Sequence, residues 1–135
     1  MKIKIFFTIF YIFFTFNSNL LSDEGGKLLK VGLLAPLSGP HSEIGNSLLN
    51  SLQLALEEIN DKNLIIVPRD AGYNDKEKLD EAIRDLKSLG VKVIIGPTRH
   101  ETFKHIKKYN DLIFISPSNI NPQLSNNIIS IGVSL

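Results

Sequence analysis

Short unbroken apolar runs alternate with longer segments that carry one apolar face along most of this chain. Residues 31–35 form such a run, which is too short for a helix and predicts a strand buried on both faces. Behind it, with Ser42 as the expected N-cap, apolar side chains recur at helical spacing at Ile44, Leu48, Leu52, Leu56 and Ile59. This order of strand, turn and helix predicts the first half of a βαβ unit.

The same alternation continues along the rest of the chain. Residues 64–67 predict a second strand that Pro68 ends, and Asp75 is the expected N-cap of the next helix. That helix carries an apolar stripe and is followed by Gly90 at its C′ position, the stripe being Leu79, Ala82, Ile83, Leu86 and Leu89. Three further strands and one more polar helix are expected, at residues 91–95, 112–115 and 128–133 for the strands and 99–109 for the helix.

Strands alternating with helices predict an α/β fold with a doubly wound parallel sheet. We expect the flavodoxin-like strand order 2-1-3-4-5. Right-handed crossovers then place the first helix on one face and the next two on the other. Because a parallel sheet needs cover on both faces, we expect the chain to be incomplete or to depend on a partner on one face.

The N-terminal segment, residues 1–22, differs from the rest. Lys2 and Lys4 precede an apolar run at residues 5–16, which is shorter than the roughly 20 residues of a membrane-spanning helix. This pattern predicts a signal peptide, with an uncleaved N-terminal anchor as the alternative because no A-x-A-like cleavage site is present. In either case we expect residues 23–135 to form the folded domain and to face an extracytoplasmic space.

Composition excludes several classes of protein. Hydrophobic residues make up 43% and charged residues 21%, which is typical of a globular domain. The formal net charge is +1, so the chain lacks the excess of positive charge that is typical of nucleic-acid-binding proteins. The absence of cysteine excludes disulfides, thiolate metal sites, a cysteine nucleophile and a lipidated N-terminal cysteine.

Motifs for catalysis are absent from the sequence. There is no G-x-S-x-G elbow, Walker A loop or G-x-G-x-x-G fingerprint. His100, Glu101 and His105 have the spacing HExxxH rather than the HExxH of zinc proteases, which favours a solvated helix face. Asp70 and Asp75 suggest paired acid–base chemistry, but helix capping explains Asp75 more simply. We therefore predict a non-enzymatic protein without cofactor or metal.

The turn after the first strand is the first candidate for ligand binding. In open α/β sheets, ligands lie outside the carboxyl ends of the strands, beside such turns. Here residues 37–45 combine small residues with the start of a helix, where backbone N–H groups suit a carboxylate.

Small and turn residues recur after the predicted strands and around the first helix. They are Pro36, Leu37, Ser38, Gly39, Gly45, Ala55, Asn60, Asp70, Gly96, Pro97, Ser116 and Pro117. In this pattern residues 30–133 resemble the periplasmic binding protein type I superfamily, and within it the leucine/isoleucine/valine-binding receptors of ABC importers are the most similar. The resemblance implies that the chain holds part of the N-terminal lobe of a two-lobe fold that closes on its ligand.

The resemblance also implies a function and a set of ligand-facing residues. The function is that of an exported receptor that binds a small polar ligand, such as an amino acid, and presents it to the membrane subunits of an ABC importer. The implied ligand-binding residues lie in three loops and are Ser38, Gly39, Gly96, Pro97, Thr98, His100, Ser116, Ser118 and Asn119.

Two positions depart from the amino-acid receptors, which carry a serine where His100 stands and a threonine where Ile120 stands. A second branch of the superfamily, the penicillin-binding protein activators, is similar in its Gly-Pro turn followed by a glutamate near Glu101, and in an Arg69-Asp70 pair. This branch implies an interaction module of the cell envelope that contacts a peptidoglycan synthase. Many of its members are lipoproteins, from which the chain departs in lacking cysteine.

Overall fold

Five parallel strands form one sheet in the computed structural model, which describes residues 26–118 and 125–132. Their order is β2-β1-β3-β4-β5, so the predicted α/β fold with a doubly wound parallel sheet is confirmed. The strands are β1 at Leu29–Ala35, β2 at Leu64–Asp70, β3 at Val93–Ile95, β4 at Ile113–Ser116 and β5 at Ile128–Ser130.

Pro68 lies inside β2 rather than after it, and the prediction that it ends the strand is wrong. The strand continues to Asp70 because β2 lies at one edge of the sheet. A proline is tolerated in an edge strand where its missing N–H would point away from the neighbouring strand. Pro68 lies opposite Leu33 of β1 in the register, and the other side of β2 has no neighbouring strand.

In the described part of the chain, three helices connect the strands: α1 at Ser42–Ile59, α2 at Lys76–Ser88 and α3 at Phe103–Ile106. Asp75 is the N-cap of α2, as predicted, and its side chain accepts a hydrogen bond from the Lys78 backbone N–H. The prediction for Ser42 is wrong: Ser42 is the first residue of α1, and His41 occupies the N-cap position without a side-chain hydrogen bond.

The helix predicted over residues 99–109 is much shorter in the structure. A 3-10 turn at His100–Thr102 leads into α3, which forms a single turn. Only Phe103 and Ile106 of this helix are buried, so there is no long apolar stripe to support further turns.

The hydrophobic core lies on the face of the sheet that α2 and α3 cover. Its members are Leu34, Ala71, Leu79, Ala82, Ile83, Leu86, Val91, Ile94, Phe103, Ile106, Leu112, Phe114 and Ile128. On the opposite face α1 packs on β1 and β2, while Ile113 and Ile129 remain 47% and 51% exposed. This uneven cover agrees with the expectation from the strand order.

Two glycines hold neighbouring segments against the end of β1. A Cβ atom at Gly45 of α1 would lie 2.1 Å from the Pro36 carbonyl oxygen. Gly96 follows β3 with φ at 113°, and a Cβ atom there would lie 2.2 Å from the Leu34 carbonyl oxygen. No other residue fits these contacts without displacement of the backbone, so both glycines position loops at the carboxyl edge of the sheet.

The predicted signal segment, residues 1–22, lies outside the described residues, and its boundary with the domain stays a prediction. Among the helices of residues 26–118 and 125–132, none combines the length and the apolar character needed to cross a membrane.

Candidate functional site

The carboxyl ends of the five parallel strands meet at one edge of the sheet. This topology brings together the loops after β1, β2, β3 and β4, which we call the carboxyl edge. Most of the predicted ligand-binding residues therefore lie at this edge: Ser38, Gly39, Gly96, Pro97, Thr98, His100, Ser116 and Ser118. Asn119, and with it the departure at Ile120, lies outside the described residues.

Asp70, the last residue of β2, is the centre of a hydrogen-bond network at the carboxyl edge. Its carboxylate accepts from the Leu37 N–H at 2.9 Å, the Ser38 hydroxyl at 2.5 Å, the Gly72 N–H at 3.1 Å and the Lys78 ammonium at 2.6 Å. Burial opposes ionisation, but the hydrogen bonds from Lys78, Ser38 and the two N–H groups outweigh it and hold the pKa of Asp70 well below its usual range.

This network changes the interpretation of two sequence candidates. The Ser38 hydroxyl donates to Asp70 and accepts from Lys78 at 3.1 Å, so it joins the loop after β1 to α2. Asp70 is ionised and surrounded by donors, while Asp75 caps α2. Neither carboxylate of the proposed acid–base pair is therefore arranged to exchange a proton with a substrate.

An aromatic and cationic stack joins three loops of the carboxyl edge. The rings of His41 and Tyr73 stack with centroids 3.5 Å apart and an interplanar angle of 24°. The Arg99 guanidinium carbon lies 4.4 Å from the Tyr73 centroid, within the range of a cation–π contact. No local pattern in the sequence links His41 to Tyr73, although each lies in a loop directly after a strand.

Arg99 and Glu101 form a two-point ion pair in the loop after β3. Arg99 Nε lies 3.1 Å from Glu101 Oε2, and Nη2 lies 2.9 Å from Oε1. The hydrogen bonds from Arg99 lower the pKa of Glu101 to about 2, and those to Glu101 raise the pKa of Arg99. His100 Nδ1 is 3.4 Å from Glu101 Oε2, so the imidazole lies beside this ion pair.

Ser116 and Ser118 fasten the loop after β4 to its neighbours. Ser116 is fully buried; its hydroxyl donates to the Pro97 carbonyl at 2.7 Å and accepts from the Ser118 N–H at 3.2 Å. The Gly96–Pro97 peptide bond in the loop after β3 is cis. Through its hydrogen bond to the Pro97 carbonyl, Ser116 joins the loops after β3 and β4.

Thr98 lies in the loop at the end of β3. It is half-buried and lines a small pocket together with Ala71, Tyr73, Pro97 and Arg99. Within residues 26–118 and 125–132, no three histidine or carboxylate side chains come together in a way that could hold a metal ion.

Comparison with known proteins matches this arrangement to a family. A family model described as "Periplasmic binding protein" matches residues 29–134. A search of curated protein sequences found no match.

Solved structures share the fold at low sequence identity. The branched-chain amino acid transporter substrate binding protein LivJ from Streptococcus pneumoniae, in complex with isoleucine, is 21% identical with a TM-score of 0.64; the match covers 77% of this chain and 33% of LivJ. A solute binding protein from R. palustris, in complex with 4-hydroxybenzoate, is 16% identical with a TM-score of 0.68, covering 76% of this chain and 31% of that one. LpoA from Haemophilus influenzae is 20% identical with a TM-score of 0.61, covering 86% of this chain and 21% of LpoA. This chain thus spans a third or less of each of these structures.

Proposed function

This chain belongs to the periplasmic binding protein family, and we propose that it supplies part of the N-terminal lobe of a receptor for a small polar ligand such as an amino acid. The receptor presents its ligand to the membrane subunits of an ABC importer. In this proposal the protein has no enzymatic activity and needs no cofactor. Residues 1–22 direct export to the periplasm and are either cleaved or retained as an anchor.

The observation that carries the proposal is the convergence of the loops after β1, β3 and β4 at one edge of the sheet. Gly39 is exposed there, and Thr98 and His100 are half-buried, so all three can reach a ligand. LivJ and the R. palustris protein hold isoleucine and 4-hydroxybenzoate, two ligands that carry a carboxylate. A carboxylate also suits the donors of the loop after β3, where Arg99 and His100 lie.

The test is calorimetric titration of the exported full chain with the twenty amino acids, benzoate and 4-hydroxybenzoate. We expect saturable binding of one class of these compounds, and heats of dilution alone across the panel contradict the proposal. For a compound that binds, His100→Ala should weaken binding by about tenfold, the cost of one lost hydrogen bond of about 1.4 kcal/mol. His105→Ala is the matched control, because His105 lies on α3 rather than in the loop after β3.

A second candidate function is that of an envelope interaction module that contacts a peptidoglycan synthase. The observation that favours it is the ion pair of Arg99 and Glu101 with His100 beside it, because a partly exposed ion pair suits a protein surface as well as a small ligand. Affinity capture from an envelope extract, followed by mass spectrometry, tests it. Recovery of a peptidoglycan synthase by the native chain, and its loss with Glu101→Lys, supports the module; equal recovery with both chains contradicts it.

A further inference from the structure

We infer that Asp70 is a positioning residue that, together with Lys78, fixes the loop after β1 and leaves the Ser38 hydroxyl able only to accept a hydrogen bond. The part of this inference that concerns a ligand rests on the proposed function, and the part that concerns the loop does not.

The single hydroxyl hydrogen of Ser38 is used in its hydrogen bond to Asp70. A serine hydroxyl has one O–H donor and two acceptor lone pairs. Ser38 Oγ lies 2.5 Å from Asp70 Oδ2, which has no proton to give, so the hydroxyl is the donor of this bond. Lys78 Nζ lies 3.1 Å from the same oxygen and occupies one lone pair. One acceptor site remains on Ser38, and no donor.

The position of Asp70 explains how one carboxylate can join the loops after β1 and β2 to α2. Its four donors come from the loop after β1, from the loop after β2 and from α2. The side chain is 23% exposed and that of Lys78 39%, so the pair is partly withdrawn from water. Arg69, the preceding residue, forms an ion pair with Asp85 of α2, whereas Asp70 forms its ion pair with Lys78.

This arrangement restricts how a ligand can lie against the carboxyl edge. A ligand group that meets Ser38 must itself donate a hydrogen bond, as a hydroxyl or an ammonium group does. The donor end of a ligand at the carboxyl edge therefore faces Ser38 in the loop after β1.

The test follows the Asp70 carboxyl carbon by NMR in the full chain without ligand, from pH 7 to pH 2. We expect Asp70 to titrate well below the value of about 3.9 for a free aspartate. Lys78→Met should raise this midpoint by about one unit or more, and Lys78→Arg should restore it because the charge is retained. Ser38→Ala should raise it less while keeping the Asp70–Lys78 pair. Asp85→Asn, which breaks the neighbouring ion pair with Arg69, is the control and should leave the midpoint unchanged.

Hydrogen exchange of the Leu37 and Gly72 amides supplies a readout of the loop itself. Both amides donate to Asp70, so Lys78→Met and Asp70→Asn should speed their exchange, while a core amide such as that of Phe114 keeps its rate. An ordinary midpoint for Asp70, or unchanged exchange in Lys78→Met, overturns the inference even if the chain binds a ligand. A depressed midpoint in a chain that binds none of the compounds supports the positioning of the loop and removes only its consequence for the ligand group that meets Ser38.

Discussion

The two faces of the sheet have equally apolar strands but different cover. Side chains of parallel strands alternate between the faces, and the register aligns them in rows across four strands. The row on the first face is buried throughout, whereas the row on the second face goes from a fully buried residue on β1 to a half-exposed one on β5. These rows are Gly32, Ile94, Phe114 and Ile128 on the first face, and Leu33, Ile95, Ile115 and Ile129 on the second.

The apolar composition of the strands shows that both faces of the sheet are suited to burial. Which face is buried depends on where the helices pack. The first face lies under α2 and α3 together, and their apolar side chains join a single core. On the second face α1 is the helix that packs on β1 and β2. Aliphatic side chains on β3, β4 and β5 are suited to burial on both faces, as is usual in parallel sheets. Stability should therefore depend mainly on the first face.

The largest expected effect comes from adjacent residues of β4 that point to opposite faces. Phe114 is fully buried in the core, so Phe114→Ala should lower the free energy of unfolding by about 3–5 kcal/mol. Ile113 is 47% exposed, and Ile113→Ala should cost less than about 1 kcal/mol. Urea unfolding followed by circular dichroism measures both. Equal losses for the two variants would show that the second face is as well packed as the first.

A smaller effect is expected where α1 is held against β1. In Gly45→Ala the new methyl group meets the Pro36 carbonyl oxygen, which is backbone and must move with its loop. We expect a loss of about 1–3 kcal/mol, typical of overpacking. Ala55→Gly, at an exposed position of the same helix, is the control for helix propensity and should cost about 1 kcal/mol. If Gly45→Ala costs no more than this control, α1 is free to shift on the second face.

Stability should depend on pH through the first face of the sheet, because an ion pair there joins α2 to the segment after α3. Asp80 accepts from Lys108 Nζ at 2.7 Å and from the Tyr109 hydroxyl at 2.9 Å; these bonds outweigh the opposing effect of burial and lower the pKa of Asp80. Because the pKa is lower in the folded state, the stabilisation is complete above about pH 4 and is lost as the pH falls through the folded value.

We expect Asp80→Asn to reduce stability by about 1 kcal/mol at pH 7 and by progressively less below pH 4. Glu57→Gln, an exposed substitution on α1, is the control and should be neutral at both pH values, since no ion pair among the described residues involves α1. Denaturant unfolding at pH 7 and pH 3 compares them. An Asp80→Asn loss that is the same at both pH values contradicts this explanation.

The sequence predicts the sheet well because its signals are local. Each strand is a short apolar run that a turn ends, and the right-handed crossover rule then limits the order of the strands. The error at Pro68 arises because nothing local marks β2 as an edge strand. The helix predicted over residues 99–109 is too long, because α3 ends at Ile106 and Tyr109 packs against the core from a turn, in which its N–H donates to the Ile106 carbonyl.

The location of the candidate site can be predicted from the sequence, but the side-chain contacts within it cannot. The topology puts Ser38 at the carboxyl edge, whereas the partners that use its hydroxyl are Asp70 and Lys78, 32 and 40 residues away along the chain. The stack of His41, Tyr73 and Arg99 likewise joins three separate loops. Side-chain contacts of this range depend on how the loops pack, which no local pattern encodes.

The smallest effect on stability is expected at the exposed end of the second face. Ile113→Thr combined with Ile129→Thr keeps the β-branched shape that strands favour, so unfolding should change by less than about 1 kcal/mol. The same substitutions should clearly reduce binding of the dye ANS and self-association in analytical ultracentrifugation, because exposed apolar rows promote both. Leu54→Thr, at a 66% exposed position on α1, is the control for general surface hydrophobicity. If it reduces dye binding and association as much as the strand variant does, the uncovered rows of the sheet are not the surface responsible, and the contrast between the two faces does not extend to the behaviour of the chain in solution.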